Sequence, residues 1–163
     1  MQLLATRKIS ALPITKANFS PYGQLITPDP DGKVFDEDDA VLKLQPGIPR
    51  FYIMHLERRG RTFHQITRHS ICTQCLGSLN GLDWLMAVCP PGSSSEPDLD
   101  RMRAFRIPGN CFIKLEVGTW HAGPYFDHDA VDFYNLELSN TNVVDHFTHN
   151  FLTKQKIKFE IVG

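Results

Sequence analysis

Short apolar runs separated by turns dominate the pattern of hydrophobic and polar positions along this chain. Residues 50–56 (RFYIMHL) combine aromatic and β-branched side chains, and residues 83–89 (DWLMAVC) are almost entirely apolar. Within residues 153–162, the segment IKFEIV alternates apolar and polar positions with a period of two, which is typical of a half-buried strand. The same criteria predict further strands at residues 2–9, 24–26, 62–66, 102–107, 111–117 and 132–139.

Turn and loop signals separate these strands at short intervals. Residues 28–39 are acidic and rich in proline and glycine, and residues 90–97 (PPGSSSEP) form the most loop-like stretch. Helical turns are indicated only near residues 15–18 and 98–100. Many short strands with little helix predict a β-sandwich or barrel. Because no repeat or linker divides the sequence, we expect one domain over residues 1–163.

The amino-acid composition argues against several classes of function for this protein. Apolar residues make up 42% of the chain and charged residues 21%, as in an ordinary globular protein. With 17 Lys and Arg against 18 Asp and Glu, the net charge of −1 argues against nucleic acid or an anionic membrane as the partner. The sequence has neither a signal-peptide core nor an apolar run of the roughly 20 residues that span a bilayer. We therefore expect a cytoplasmic protein.

The cysteines favour a structural role over a metal or redox role. Of the four, Cys72 and Cys75 form a CxxC spacing, and Cys89 and Cys111 are isolated. Two positions three apart on a strand point to opposite faces, so these two thiols would not share a metal or a disulfide. Packed, reduced thiols are the expectation.

Two histidine motifs are the strongest candidates for chemistry. His69 lies in a segment that is typical of strand, turn and strand, and Gln74 follows five residues later. His121 follows Gly118-Thr119-Trp120, a tight turn that would place the imidazole at the start of a strand. In small β-barrels, two short histidine motifs carried on different strands can form a single site at the open end of the barrel. We expect His69 and His121 to share that site.

Two short stretches resemble the two motifs of the cupins. The first cupin motif has His-x-His followed by Glu, and His69 and Gln74 stand at its second histidine and its glutamate. The second motif has Pro-x-Gly-x-x-His, and Gly118 and His121 stand at its glycine and histidine. Thr67 and Glu116 occupy the remaining first-histidine and proline positions.

A further set of positions spans most of the chain: His64-x4-His69, Thr73-Gln74, Pro97-Asp98-Leu99, Arg103-Ala104-Phe105, Trp120-His121 and Asp132-Phe133, with residues 22–26 (YGQLI) upstream. In order and spacing these positions resemble the ureidoglycolate lyase (ureidoglycolate hydrolase) family more closely than either cupin motif does. This resemblance implies a homodimeric enzyme of mainly β, cupin-type double-stranded β-helix fold, a jelly-roll-like antiparallel barrel with a few short helices. It also implies cleavage of (S)-ureidoglycolate to glyoxylate and urea in allantoin and purine catabolism.

On this resemblance, His69 and His121 would form the acid–base pair, since histidine titrates near neutral pH. Gln74 would hydrogen-bond the ureido group, and Arg68 or Lys114 would hold the substrate carboxylate. Strand alternation turns Arg68 outward, so it would serve only at a bulge or in a neighbouring subunit's site. His64 faces away from His69 on the same argument and is expected to be structural. The other candidate substrate-binding residues are Trp120 and Tyr125.

Some members of the family are reported with a divalent metal, so nickel or manganese is a candidate cofactor, and no cofactor at all is the alternative. The ligands would be His69, Gln74 and His121. Two other functions stay open at this point. One is a small-molecule-binding cupin without catalysis, and the other is a metal-dependent dioxygenase or isomerase on the same fold.

Overall fold

The strands form two β-sheets that curl around a shared core, and the structure, a computed structural model, describes residues 3–163. Three short helices, α1 (Lys16–Phe19), α2 (Thr141–Val144) and α3 (Phe151–Gln155), and a 3-10 turn at Leu99–Arg101 accompany the strands. The strands are β1 (Ala5–Pro13), β2 (Gly23–Ile26), β3 (Pro49–Glu57), β4 (Thr62–Phe63), β5 (Gln65–Arg68), β6 (Gln74–Ser78), β7 (Gly81–Cys89), β8 (Arg103–Gly109), β9 (Phe112–Leu115), β10 (Trp120–Tyr125), β11 (Ala130–Leu138), β12 (Phe147–Asn150) and β13 (Ile157–Val162).

One sheet has eight strands in the order β12-β5-β10-β7-β8-β1-β13-β4, and the other has five in the order β2-β9-β6-β11-β3. The predicted mainly β, cupin-like fold is confirmed. Its antiparallel character has one exception, because β1 pairs in parallel with both β8 and β13. Over residues 3–163, no helix is long and apolar enough to cross a membrane.

The eight-stranded sheet carries apolar side chains on both faces. Trp84, Met86 and Phe105 point between the sheets, where they meet Leu76 and Phe133 of the five-stranded sheet. The apolar side chains on the opposite face form a second cluster, which strand β13 and helix α3 cover. That second cluster contains Leu85, Ala87, Trp120, Phe151 and Phe159. Strand β7 is therefore buried on both faces, which explains its nearly continuous apolar sequence.

The predicted strands are present with shifted bounds. The first strand begins at Ala5, where it pairs with Ile157, and not at residue 2. Residue 2 of that prediction lies outside the described part of the chain, and Leu3 and Leu4 are exposed ahead of the strand. Proline is usually confined to the ends, edges and bulges of strands, yet Pro124 lies inside β10. The register between β10 and β7 shifts there, and such a bulge accommodates a proline that cannot donate to the ladder.

All four cysteines are free and buried, as the sequence predicts. Cys75 lies in β6, whereas Cys72 precedes that strand and its Sγ lies 3.4 Å from Oγ1 of Thr141. Burial raises the pKa of the Cys75 and Cys89 thiols to about 12, so both stay protonated at neutral pH.

Two connections run between the sheets at one end of the barrel, which we call the mouth. Residues 69–73 join β5 to β6, and residues 116–119 join β9 to β10. Gly118, in the second connection, has a φ of +84° and donates its N–H to the carbonyl oxygen of His69 at 2.7 Å. Glycine adopts this left-handed conformation without the strain that other residues incur. The hydrogen bond joins the two connections directly.

Candidate active site at the mouth of the barrel

His69 and His121 lie together at the mouth, as the two motifs predict. His121 pairs with Val88, whose side chain lies in the core between the sheets, so His121 also faces the interior. The ring centroids of His69 and His121 are 5.0 Å apart. A third imidazole, that of His146, lies 5.9 Å from His69. The interior-facing side of β5 presents Thr67 directly opposite His121.

The backbone around Asp145 fixes the orientation of His69. Nδ1 of His69 donates to the carbonyl oxygen of Asp145 at 2.6 Å, which leaves Nε2 for another partner. The Asp145 carboxylate accepts the N–H groups of Ser70 at 2.6 Å and Ile71 at 2.9 Å. Both Asp145 and His69 are buried. One aspartate therefore holds both the imidazole and the connection that follows it.

His121 is held as a neutral imidazole. Its Nδ1 donates to the carbonyl oxygen of Thr119 at 3.4 Å, so Nε2 keeps a free lone pair. Burial, followed by the neighbouring His69, lowers the pKa of His121 from 6.5 to about 3, while the Thr119 carbonyl opposes this shift and His146 adds a lesser lowering effect. At neutral pH the side chain is a proton acceptor. This is the protonation state that a general base requires.

A cleft of about 370 Å³ opens where β5 and β10 separate beyond the Thr67–His121 pair. Arg59 supplies the one guanidinium among its lining residues, donating to the carbonyl oxygen of Pro124 at 2.9 Å and lying 5.6 Å from the Tyr125 ring centre. The volume suits a small molecule. The lining residues are Arg59, Thr62, Phe63, His64, Gln65, Thr67, His121, Ala122, Gly123, Tyr125 and His146.

The other predicted substrate-binding residues occupy several places. Tyr125 lines the cleft with His121, whereas Trp120 is buried in the second apolar cluster. The Arg68 guanidinium stacks 4.5 Å from the Trp120 ring centre, and its Nη1 donates to the carbonyl oxygen of Ser94 at 2.9 Å. Arg68 therefore points away from the interior, as strand alternation predicts, and it does not line the cleft.

Lys114 and Gln74 are both engaged within the five-stranded sheet. Lys114 is only 2% exposed, and its Nζ donates to Oε2 of Glu116 at 2.8 Å. Nε2 of Gln74 donates to Oδ1 of Asn135 at 3.0 Å and to Oε2 of Glu137 at 3.4 Å. The ammonium group of Lys114 is thus neutralised locally, which does not suit a role as a carboxylate anchor.

The donor set that the sequence suggested for a metal consists of two imidazoles and one amide. His69 and His121 each use Nδ1 on a backbone carbonyl and keep Nε2 open, and the amide nitrogen of Gln74 is bonded to Asn135 and Glu137. Within residues 3–163, no group of three or more His, Cys, Asp or Glu side chains is arranged to hold a metal ion. Structural and catalytic zinc-type centres have at least three protein ligands. The metal assignment stays a prediction from resemblance.

Sequence reasoning missed three residues of the cleft region. The sequence of residues 58–61 is typical of an exposed hairpin tip, and strand alternation predicts a structural role for His64, yet Arg59 and His64 both line the cleft. His146 lies in a segment without hydrophobic periodicity, so no sequence pattern marks it. It is brought in when β12 pairs with β5, an interaction between residues about 80 positions apart in sequence. The basic character of the 58–61 turn was the one available signal for Arg59.

Comparison with known proteins adds to this geometry. The model of the family described as ureidoglycolate lyase matches residues 6–155. A ureidoglycolate lyase of Azotobacter vinelandii is 24% identical over 155 residues, covering 86% of this chain and 92% of the relative. One of Salmonella typhimurium is 21% identical over 150 residues, covering 85% of this chain and 92% of that protein. The similarity therefore extends over nearly the whole length of both chains.

Proposed function

Because the chain belongs to the ureidoglycolate lyase family, we propose that it cleaves (S)-ureidoglycolate to glyoxylate and urea, a step of allantoin and purine catabolism. The observation that carries the chemistry is a neutral, interior-facing imidazole, His121, next to a second one, His69, beside a small cleft. The substrate class is a small carboxylate, for which the guanidinium in the cleft supplies a partner.

The reaction is a proton transfer coupled to breaking of a C–N bond. In ureidoglycolate one carbon carries a hydroxyl, a carboxylate and the ureido nitrogen. Loss of the hydroxyl proton forms the C=O of glyoxylate, the C–N bond electrons pass to nitrogen, and that nitrogen takes up a proton to leave as urea. The site therefore needs one base, one acid and a group that holds the carboxylate.

His121 and His69 supply the base and the acid in this proposal. Nε2 of neutral His121 accepts the hydroxyl proton, because its Nδ1 is directed at the Thr119 carbonyl. His69, oriented by its bond to the Asp145 carbonyl, acts as the imidazolium: it delivers the proton of Nε2 to the leaving nitrogen and becomes neutral. Transfer between the two rings, whose centres are 5.0 Å apart, restores the starting state.

Arg59 replaces Arg68 and Lys114 as the proposed carboxylate anchor. Arg68 lies outside the cleft, and the charge of Lys114 is neutralised by Glu116. Arg59 lines the same cleft as His121, and a guanidinium can bind a carboxylate through two parallel hydrogen bonds. The proposed role is to hold the substrate with its hydroxyl toward His121.

Product analysis tests this function. Purified protein is incubated with racemic ureidoglycolate, and glyoxylate, urea and ammonia are followed separately. The proposal predicts equal amounts of glyoxylate and urea, with half of the racemate consumed if the (S) form alone is used. Release of ammonia in place of urea would mean hydrolysis of the ureido group and would contradict the lyase assignment.

The protonation of His121 predicts a distinct pH dependence. Its pKa of about 3 in the folded protein lies below the 6.5 of an unfolded histidine. The folded state binds this proton less readily, so the stability that His121 contributes is present above pH 6.5 and is lost between about pH 6.5 and pH 3. Its base form also persists well below pH 6. A pH–rate profile of kcat/KM should therefore show no acid limb near 6.5, and such a limb would contradict the assignment.

We expect the protein to form a homodimer, and an exposed apolar face supports this prediction. The edge strand β3 exposes Phe51 and Ile53, which are 70% and 64% exposed, and the adjoining Ile48 is 73% exposed. Exposed apolar patches of this kind commonly mark protein interfaces. Sedimentation equilibrium should give twice the mass of the chain, with Phe51→Asp shifting it toward the monomer. A wild-type monomer at micromolar concentration would refute the dimer.

A cytoplasmic location likewise stays a prediction.

A further inference from the structure

A buried polar cluster on the five-stranded sheet has no role in the mechanism above. It consists of Gln74, Asn135 and Glu137, with the hydroxyl of Tyr52 receiving a hydrogen bond from Nδ2 of Asn135 at 3.1 Å. Glu137 is 2% exposed and Gln74 is 8% exposed. Carboxylates are almost never buried to this extent without a partner, so the cluster requires an explanation.

The cluster faces the interior at the mouth end of the barrel. Phe133, Asn135 and Glu137 occupy every second position of β11, so their side chains point to the same face of the sheet. Phe133 belongs to the core between the sheets, and that face is therefore the interior one. Gln74 is the first residue of β6 and pairs with Leu115, the last residue of β9. The chain then crosses directly to β10 and His121. The polar cluster and His121 therefore face the interior from opposite sheets, which pack about 10 Å apart.

Too few donors satisfy the acceptors of this cluster. Glu137 accepts one long hydrogen bond from Gln74, at 3.4 Å, and it forms no ion pair within the part of the chain that the structure describes. Its cross-strand neighbour Arg50 stacks on the Tyr52 ring, 3.6 Å from the ring centre. Oε1 of Gln74 is buried and has no hydrogen-bond partner.

Rotating the Gln74 amide does not relieve this shortage. Nε2 already lies between two acceptors, Oδ1 of Asn135 and Oε2 of Glu137, so a flipped amide would oppose oxygen to oxygen. The arrangement is therefore a buried amide oxygen without a donor, next to a carboxylate that accepts one long hydrogen bond. A ligand rich in N–H groups would satisfy it, and leaving such groups unpaired is costly.

From this geometry we infer that Glu137, with Oε1 of Gln74, binds the N–H groups of the ureido half of the substrate. The inference rests on the proposed function and extends it with a specificity residue. A planar ureido group presents N–H donors from both nitrogens, which match two acceptors on neighbouring strands. The carboxylate end of the substrate binds Arg59, so side chains of opposite charge bind the two ends of the molecule.

Binding of two unreactive analogues tests the inference without turnover. N-carbamoylglycine keeps the ureido group and the carboxylate but lacks the hydroxyl, and N-acetylglycine replaces the terminal NH2 with a methyl group. Isothermal titration of the wild-type protein should give about tenfold tighter binding of N-carbamoylglycine, the size expected for hydrogen bonds to a charged group. Glu137→Gln should remove this preference, and Glu57→Gln, an exposed glutamate of the same sheet, should keep it.

Two further variants separate this subsite from the rest of the site. Gln74→Met removes Oε1 but leaves Glu137 in place, and it should also reduce the preference, which keeps the test open if Glu137→Gln does not fold. Arg59→Gln should weaken both analogues to the same extent and leave their ratio unchanged. Equal binding of the two analogues by wild type, or a preference that survives both Glu137→Gln and Gln74→Met, would overturn the inference. A preference in a protein without lyase activity would uphold it and reject the proposed reaction.

Discussion

His121→Asn should lower kcat by about a thousandfold, within the 10²–10⁴ range that a positioned general base contributes. Asparagine has nearly the size of the imidazole but accepts no proton at neutral pH, so the loss should fall on kcat and leave KM almost unchanged. Steady-state kinetics with ureidoglycolate measure both parameters. The fold should survive, because the native His121 is itself uncharged and its packing against Thr67 is at the cleft surface.

His128→Asn is the matched control for this variant. His128 is 42% exposed by side chain, and its Nε2 lies 3.7 Å from the Asp83 carboxylate, outside the cleft lining. Its replacement should leave kcat within about twofold, since surface substitutions away from a site have little effect. Full activity of His121→Asn would reject the base assignment, whatever the control shows.

Asp145→Ala should affect stability and activity together. The substitution removes a carboxylate that accepts two backbone N–H groups, those of Ser70 and Ile71. Hydrogen bonds to charged groups contribute about 1.5–3 kcal/mol each, so the free energy of unfolding should fall by about 3 kcal/mol. For a chain of this length that corresponds to roughly 6–12 °C in Tm. Differential scanning calorimetry measures the shift.

The activity of Asp145→Ala should fall because the connection that carries His69 loses its support, although the carbonyl group that orients His69 remains. Asp145→Asn keeps one acceptor oxygen and should retain part of both properties. Asp129→Ala, at an acidic side chain that is 96% exposed, is the control and should change neither. An Asp145→Ala protein with wild-type Tm and kcat would show that this carboxylate does not position the site.

The strands and the histidine pair could be predicted because local patterns determine them. The alternation in IKFEIV requires one face of β13 to be buried, and it is. His69 begins one short connection and His121 follows the other, and the topology brings both connections to one end of the barrel. Tyr125, a candidate by resemblance, lies in the same strand as His121 and lines the cleft.

The rest of the site depends on long-range pairing that no local pattern encodes. His146 approaches His69 only because β12 adds to the edge of β5. Lys114 resembles a free anchor in the sequence, yet the fold buries it against Glu116. Arg59 resembles a turn residue, but the turn folds back onto β10. Glu137 occupies a polar position of an imperfectly alternating strand, and only the register reveals that this position faces the interior.

The most direct test of the account is turnover by protein from which metals have been removed. The protein is treated with chelator, its residual nickel and manganese are measured by mass spectrometry, and glyoxylate and urea are followed from racemic ureidoglycolate with and without each metal. No group of three or more His, Cys, Asp or Glu side chains is arranged to hold a metal ion within residues 3–163, and the account assigns both proton transfers to the two imidazoles. The account predicts glyoxylate and urea in equal amounts at an unchanged rate in the metal-free protein. Product formation that requires added metal would contradict it.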